Sequence, residues 1–121
     1  MANQWPRVGV AVVILNQGRV LLGRRRKSPG RDSWQLPGGW LETFESVFSA
    51  ARREVQEKTG LQIHQLQQGP YTNNFFLDDQ LHSVTLYVRA KYAAGELANT
   101  DTELDPNWAW YPVNQLPQPL F

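Results

Sequence analysis

The chain contains no cysteine. That excludes a disulfide framework, a thiolate metal site and a cysteine nucleophile, and it suits a reducing compartment. Nor does it hold a run of about 18 apolar residues, so no membrane-spanning helix is expected. Met1 to Arg7 lack the basic start and apolar core of a secretory leader, which makes a cytoplasmic protein the expectation. Charge of one sign is missing too: twelve Lys and Arg balance eleven Asp and Glu, leaving a formal net charge of +1. With so small a bulk field, neither a nucleic acid nor an anionic membrane is an expected partner. What remains is 121 residues of ordinary globular composition, 41% hydrophobic and 19% charged. With no repeat, low-complexity tract or linker, this reads as one domain, 1–121.

Punctuation along the chain gives a mixed α+β pattern. Arg7 to Leu15 is rich in Val and Ile and reads as a buried strand. Asn16-Gln17-Gly18 is a turn, and Arg19 to Arg26 is expected as the second strand of a hairpin. There Val20 and Leu22 share one face and Leu21 the other, so both faces are partly apolar. Lys27 to Ser33 is a loop, and Trp34-Gln35-Leu36 a short extended piece stopped by Pro37-Gly38-Gly39. A helix is expected from Glu45 or Ser46 to Thr59, with Gly60 as its stop. Val47, Ala51 and Val55 form its core stripe, widened by Phe48 and Ala50. Further strands are expected at Leu61–Leu66, Tyr71–Leu77, Leu81–Tyr92 and Trp108–Val113, with a turn at Asp78-Asp79-Gln80. A polar loop runs from Ala94 to Pro106. The prolines at 117 and 119 discourage a long terminal helix.

The stretch QLPGGWLETFESVFSAARREVQEKTGL, residues 35–61, raises the chemical question. Glu54 and Glu57 are three apart on the expected helix, so their carboxylates can converge on one hard cation. Mg²⁺ takes oxygen ligands, commonly one or two carboxylates with substrate phosphates, whereas zinc would call for His or Cys. Gly38-Gly39 allows close backbone approach, and a carbonyl there could complete the coordination. The same side chains also suit a solvated helix face, with Glu54 and Lys58 as an i,i+4 ion pair. The pattern of the helix alone leaves both readings open.

The longer spacing does more. Gly39, five residues, Glu45, seven residues, Arg53-Glu54-Val55, one residue, Glu57, then Lys58, Thr59, Gly60 and Leu61 resembles the Nudix box, G-x5-E-x7-R-E-U-x-E-E-x-G-U, at every fixed position except Lys58. Flanking stretches VGVAVVIL, VLLGRRR, SWQLPGGWLE, LHSVTL and WAWYP extend the resemblance over nearly the whole chain. It implies an α/β/α sandwich with a mixed sheet, cleaving nucleoside diphosphates linked to another group with Mg²⁺ or Mn²⁺. The branch most similar hydrolyses nucleoside triphosphates to monophosphate and pyrophosphate. Hydrolysis of a GDP-mannose-type nucleotide sugar is the rival reaction, and a nucleotide-binding sensor without turnover the rival class. Carried over by position, Glu54, Glu57 and the Gly38 carbonyl are expected metal ligands, and Glu54 also a candidate base. Arg53 would orient the acids, with Glu45 as its partner, provided the chain at Glu45 folds back on the helix. Asp78, Asp79, Asp101, Glu103 and Asp105 are alternative bases.

Lys58 replaces a glutamate that commonly binds metal in this family. A negative ligand becomes a positive competitor, so weaker Mg²⁺ binding and reliance on substrate phosphates are expected; direct contact of Lys58 with phosphate is a further possibility. Other candidate substrate contacts are Arg24 and Arg26, on one strand face beside a loop; Trp34, for stacking on a base; and His82, on a strand across the expected pocket. Trp40 is a weaker stacking candidate, and His64 has no partner at metal-ligand spacing. A small-molecule nucleotide is the expected partner, and a homodimer would suit a small sandwich with exposed aromatics.

Overall fold

Five of the ten residues in Arg7–Asn16 are Val or Ile, whose stiff side chains suit a pleated surface. This segment is β1, the middle strand of a single mixed sheet. The structure, a computed structural model, describes residues 5–98 and 107–121. Gln17 and Gly18 both take positive φ, 51° and 76°, as a two-residue hairpin turn requires. The chain then enters β2, Arg19–Arg24, which pairs with β1 only at Leu15↔Val20 and Asn16↔Arg19. Beyond that point β2 pairs with β3, Trp34–Gln35, and along its length with β7, Trp108–Pro112.

The edge of β1 that β2 leaves is taken by β4, Gly38–Trp40, with Val10 opposite Gly39 and Ala11 opposite Gly38. Pro37-Gly38-Gly39 is therefore not simply a stop. Pairing there is a backbone matter: Val12 N–H donates to the Pro37 carbonyl (2.9 Å) and Leu41 N–H to that of Val8 (2.8 Å). The other edge of β1 pairs in parallel with β6, Leu81–Ala94, from Arg7↔Ser83 to Leu15↔Lys91. This parallel pair makes the sheet mixed, as the resemblance implied. The outermost strand is β5, Gln62–Phe76, antiparallel to β6. The two strands expected at 61–66 and 71–77 are thus one. Register shifts between His64 and Gln67 and between Gln68 and Tyr71 absorb Gly69 and Pro70, and an outer strand tolerates the N–H that proline lacks.

Helix α1, Val47–Thr59, starts where Ser46 takes an extended conformation and its hydroxyl accepts from Ser49 N–H (3.2 Å). It ends at Gly60, left-handed at φ 79°, whose N–H returns to the Gln56 carbonyl. Ala50, Ala51, Val55 and Thr59 turn into the sheet. Phe48 does not belong to this stripe, being 39% exposed; the alanines fill its place. Around α1 the core gathers Val10, Val12, Ile14, Leu21, Val88, Ala90 and Trp108. On the opposite face, where the resemblance implies a second helical layer, α1 has no helical counterpart among the described residues. The segment 113–121 lies there as irregular chain instead, and Leu116, Leu120 and Phe121 border an open apolar cleft of about 270 Å³ with Trp34 and Leu36.

Ile14 is fully buried within the apolar cluster. Ile14→Ala is expected to destabilise the fold by about 2–5 kcal/mol. Urea denaturation reads this as a lower midpoint with an unchanged slope.

Candidate functional site

Strand β4 and helix α1 meet at Gly39. Its partner Val10 faces the helix, so Gly39 does too. A Cβ on Gly39 would lie 2.3 Å from Oε2 of Glu54 and 2.6 Å from Oε1. Only glycine lets this carboxylate rest against the strand. At Gly38 a Cβ would meet the Val10 carbonyl oxygen at 2.0 Å, so that position is equally closed to side chains.

Glu54 is 6% exposed, and a carboxylate so placed needs compensating partners. Its Oε1 accepts from Arg53 Nη1 at 2.6 Å. Its Oε2 has no hydrogen bond and lies 3.2 Å from Lys58 Nζ. Arg53 in turn grips Glu45 with both arms of its fork, Nε to Oε2 at 2.6 Å and Nη2 to Oε1 at 2.8 Å, and reaches the Trp40 carbonyl at 3.2 Å. Glu45 reaches this position because it precedes the helix. Phe44 at φ 64° turns the chain, Glu45 N–H donates to the Glu42 carbonyl, and Glu42 N–H donates to Glu45 Oε1. The chain does fold back, and an eight-residue separation closes to contact. These hydrogen bonds from Arg53 hold the Glu45 carboxyl below the usual carboxylate range, against an opposing desolvation. They raise the Arg53 guanidinium above its ordinary value.

Lys58 does more than pair with Glu54. Its ammonium donates to the Gly38 carbonyl at 2.5 Å, the atom expected as a backbone metal ligand. Glu57, three residues after Glu54, is mostly exposed, with Oε2 3.5 Å from Arg53 Nη1. Among the described residues no group of three or more His, Cys, Asp or Glu side chains converges as a metal cage. The donor set nevertheless fits a hard cation: a carbonyl oxygen and a buried carboxylate oxygen without a hydrogen bond both face one positive charge, here the ammonium.

The other expected residues lie apart from this cluster, with no hydrogen bond or ion pair to it among the described residues. Arg24 stacks over Trp34 (5.5 Å) and pairs with Asp32 (3.2 Å). Arg26 does not share its strand face, because β2 ends at Arg24. Trp34 borders the apolar cleft, and its backbone pairs with Pro119 and Phe121. His82 binds Asn73 Oδ1 (2.7 Å) and stacks on Phe75 near the β5–β6 turn. Asp79 accepts from the Ser28 hydroxyl, and Asp78 sits in the same turn. Asp101, Glu103 and Asp105 lie outside the described residues. Arg25 was not singled out from the sequence. It donates to the Pro29 carbonyl and to Gln35 Oε1, and covers the Phe121 ring at 4.1 Å; burial lowers its basicity, partly offset by Asp79. Its alternation relative to Arg24 was the available signal.

Because Glu45 titrates below its unfolded value, the stability it contributes is complete above about pH 4.3 and disappears as acid protonates it. The gap in urea midpoint between the parent and Glu45→Gln is expected to be widest near neutrality and to shrink as pH falls through the depressed pKa. A gap that grows with acidity would contradict this.

Comparison with known proteins identifies the family. The family pattern described as NUDIX domain covers residues 5–121. An oxidized purine nucleoside triphosphate hydrolase of Danio rerio is 34% identical over 107 residues, spanning 88% of this chain and 66% of its own length. An RNA pyrophosphohydrolase of Francisella philomiragia is 32% identical across 91% of this chain and 83% of its own. Among solved structures, a MutT NUDIX hydrolase from Burkholderia pseudomallei superposes with a TM-score of 0.85 at 27% identity, over 98% of this chain and 92% of that one. With the box matched at every fixed position but Lys58, and with the folded-back Glu45 and the mixed sheet in place, the chain belongs to the NUDIX family and takes its enzyme class, the Nudix hydrolases.

Proposed function

We propose that the chain hydrolyses a nucleoside diphosphate linked to another group, with a (deoxy)nucleoside triphosphate as substrate and monophosphate and pyrophosphate as products. The observation that carries this reading is the Glu54 carboxylate: one oxygen is tied to Arg53, while the other, beside the Gly38 carbonyl, has no hydrogen bond. The printed names of the zebrafish and Francisella relatives, a nucleoside triphosphate hydrolase and an RNA pyrophosphohydrolase, support hydrolysis as the reaction class. Since this chain spans 66% of the zebrafish protein, the substrate itself is our inference.

Glu54, Glu57 and the Gly38 carbonyl are the groups that would hold Mg²⁺ or Mn²⁺. Once bound, such an ion neutralises phosphate charge and acidifies a water. The remaining work belongs to the chain's own side chains. Arg53 fixes the plane of the Glu54 carboxylate, with Oε2 turned away from the guanidinium, and Glu54 is our candidate to take the proton of the attacking water. Glu45 keeps Arg53 from swinging, and its two hydrogen bonds set that orientation before substrate arrives. Trp34, with Arg24 stacked over its ring, borders an open apolar cleft that suits the nucleoside end. No helix among the described residues is long and apolar enough to cross a membrane, and we place the activity in the cytoplasm.

A second reading has one observation in its favour. The Lys58 ammonium at the Gly38 carbonyl would suit a nucleotide-binding sensor that has lost turnover. A substrate panel separates the two, with dNTPs and GDP-mannose incubated with Mg²⁺ or Mn²⁺ and pyrophosphate, phosphate and free sugar measured. Pyrophosphate release from a nucleoside triphosphate is expected. Glu54→Gln should slow it by about 10²–10⁴-fold. Equal rates in parent and variant would remove the carboxylate helix from the mechanism.

A further inference from the structure

We infer that Lys58 is a tethered cation filling the metal position, so that a divalent ion binds this chain only by displacing it. The inference rests on reading Gly38 and Glu54 as that position, and it concerns a residue that no other member of the cluster can replace. Two distances carry it. Lys58 Nζ lies 2.5 Å from the Gly38 carbonyl oxygen and 3.2 Å from Glu54 Oε2, so a single ammonium touches both oxygens that would face a metal. Among the described residues Glu54 Oε2 has no other partner, and it is shut against the backbone of Gly39.

The charge arrangement explains why the lysine stays. Arg53 is already committed to Glu45 through two hydrogen bonds and offers Glu54 a single N–H. The buried second oxygen therefore depends on Lys58 for compensation. Lys58 lies in the last turn of α1, where the helix dipole also favours a cation. Its side chain is 47% exposed, so water is available to receive the ammonium when a stronger cation arrives. Entry is a swap of one cation for another, and free metal must outcompete a charge held at high local concentration. A metal carried in on nucleotide phosphates has an advantage, because those phosphates offer the displaced ammonium an anionic partner.

Mn²⁺ alone, without nucleotide, is the probe, with the free ion followed by electron paramagnetic resonance. Lys58→Met removes the competitor without adding a ligand. It is expected to tighten Mn²⁺ binding by about tenfold or more. Lys91→Glu, which alters net charge on strand β6 away from the site, should leave the affinity unchanged. In a chelator, Lys58→Met should melt below the parent, because Glu54 Oε2 is left unpaired, and Mn²⁺ should raise its melting temperature by more than it raises the parent's. Lys58→Gln, which keeps a donor for the Gly38 carbonyl, gives the same comparison if the methionine variant does not fold. Unchanged affinity in both variants overturns the inference. Adding Glu54→Gln to Lys58→Met should abolish the tight binding. If Mn²⁺ binding ignores Glu54→Gln, the metal position itself has been misassigned, a failure distinct from that of the lysine.

Discussion

A guanidinium shared among three acceptors sets the geometry of this molecule's chemistry. Arg53 holds Glu45 from the loop, Glu54 from its own helix and the Trp40 carbonyl from β4, so one planar group ties together three elements. Its fork has fixed donor directions, and each acceptor occupies one of them. The loop must therefore turn at Phe44, the helix must start after Ser46, and β4 must sit close enough to present its carbonyl. Lysine at 53 could supply the charge and none of this alignment.

Much of this arrangement could be read in the chain before any coordinates. Ser46 and Gly60 are residues that start and stop helices for local reasons, and the helix runs between them. Gln17-Gly18 takes positive φ, which marks a hairpin. The spacing from Gly39 to Gly60 is legible because each contact it encodes is made within one loop-helix unit. What escaped depends on distant pairing. Gly38 and Gly39 look like a turn until β1 supplies a partner edge. Gly69-Pro70 looks like a break until an outer strand with register shifts accommodates it. Phe48 looks like core by periodicity, yet the neighbouring alanines let the helix approach the sheet without it. Arg25 was obscured by a run of like charges whose members point in different directions.

The charge balance of the site is also a long-range matter. Glu54 and Lys58 read as an ordinary surface pair on a helical wheel. They become something else because β4 brings a carbonyl oxygen and a side-chain-free backbone against them. Trp108 adds a second constraint from farther away, donating its indole N–H to the Lys58 carbonyl and so tying the end of the helix to β7. The lysine's backbone is held from one side while its ammonium is held from the other.

The parallel pairing of β1 with β6 has a kinetic meaning. Arg7 finds Ser83 only after most of the chain has emerged, and the core beneath the helix is finished by Val88, Ala90 and Trp108. A fragment ending near Leu61 would possess every member of the acidic cluster and still lack the floor it stands on. Closing so wide a loop delays assembly relative to the local hairpin and helix. The cluster's order therefore rests on core residues that the far half of the polypeptide supplies.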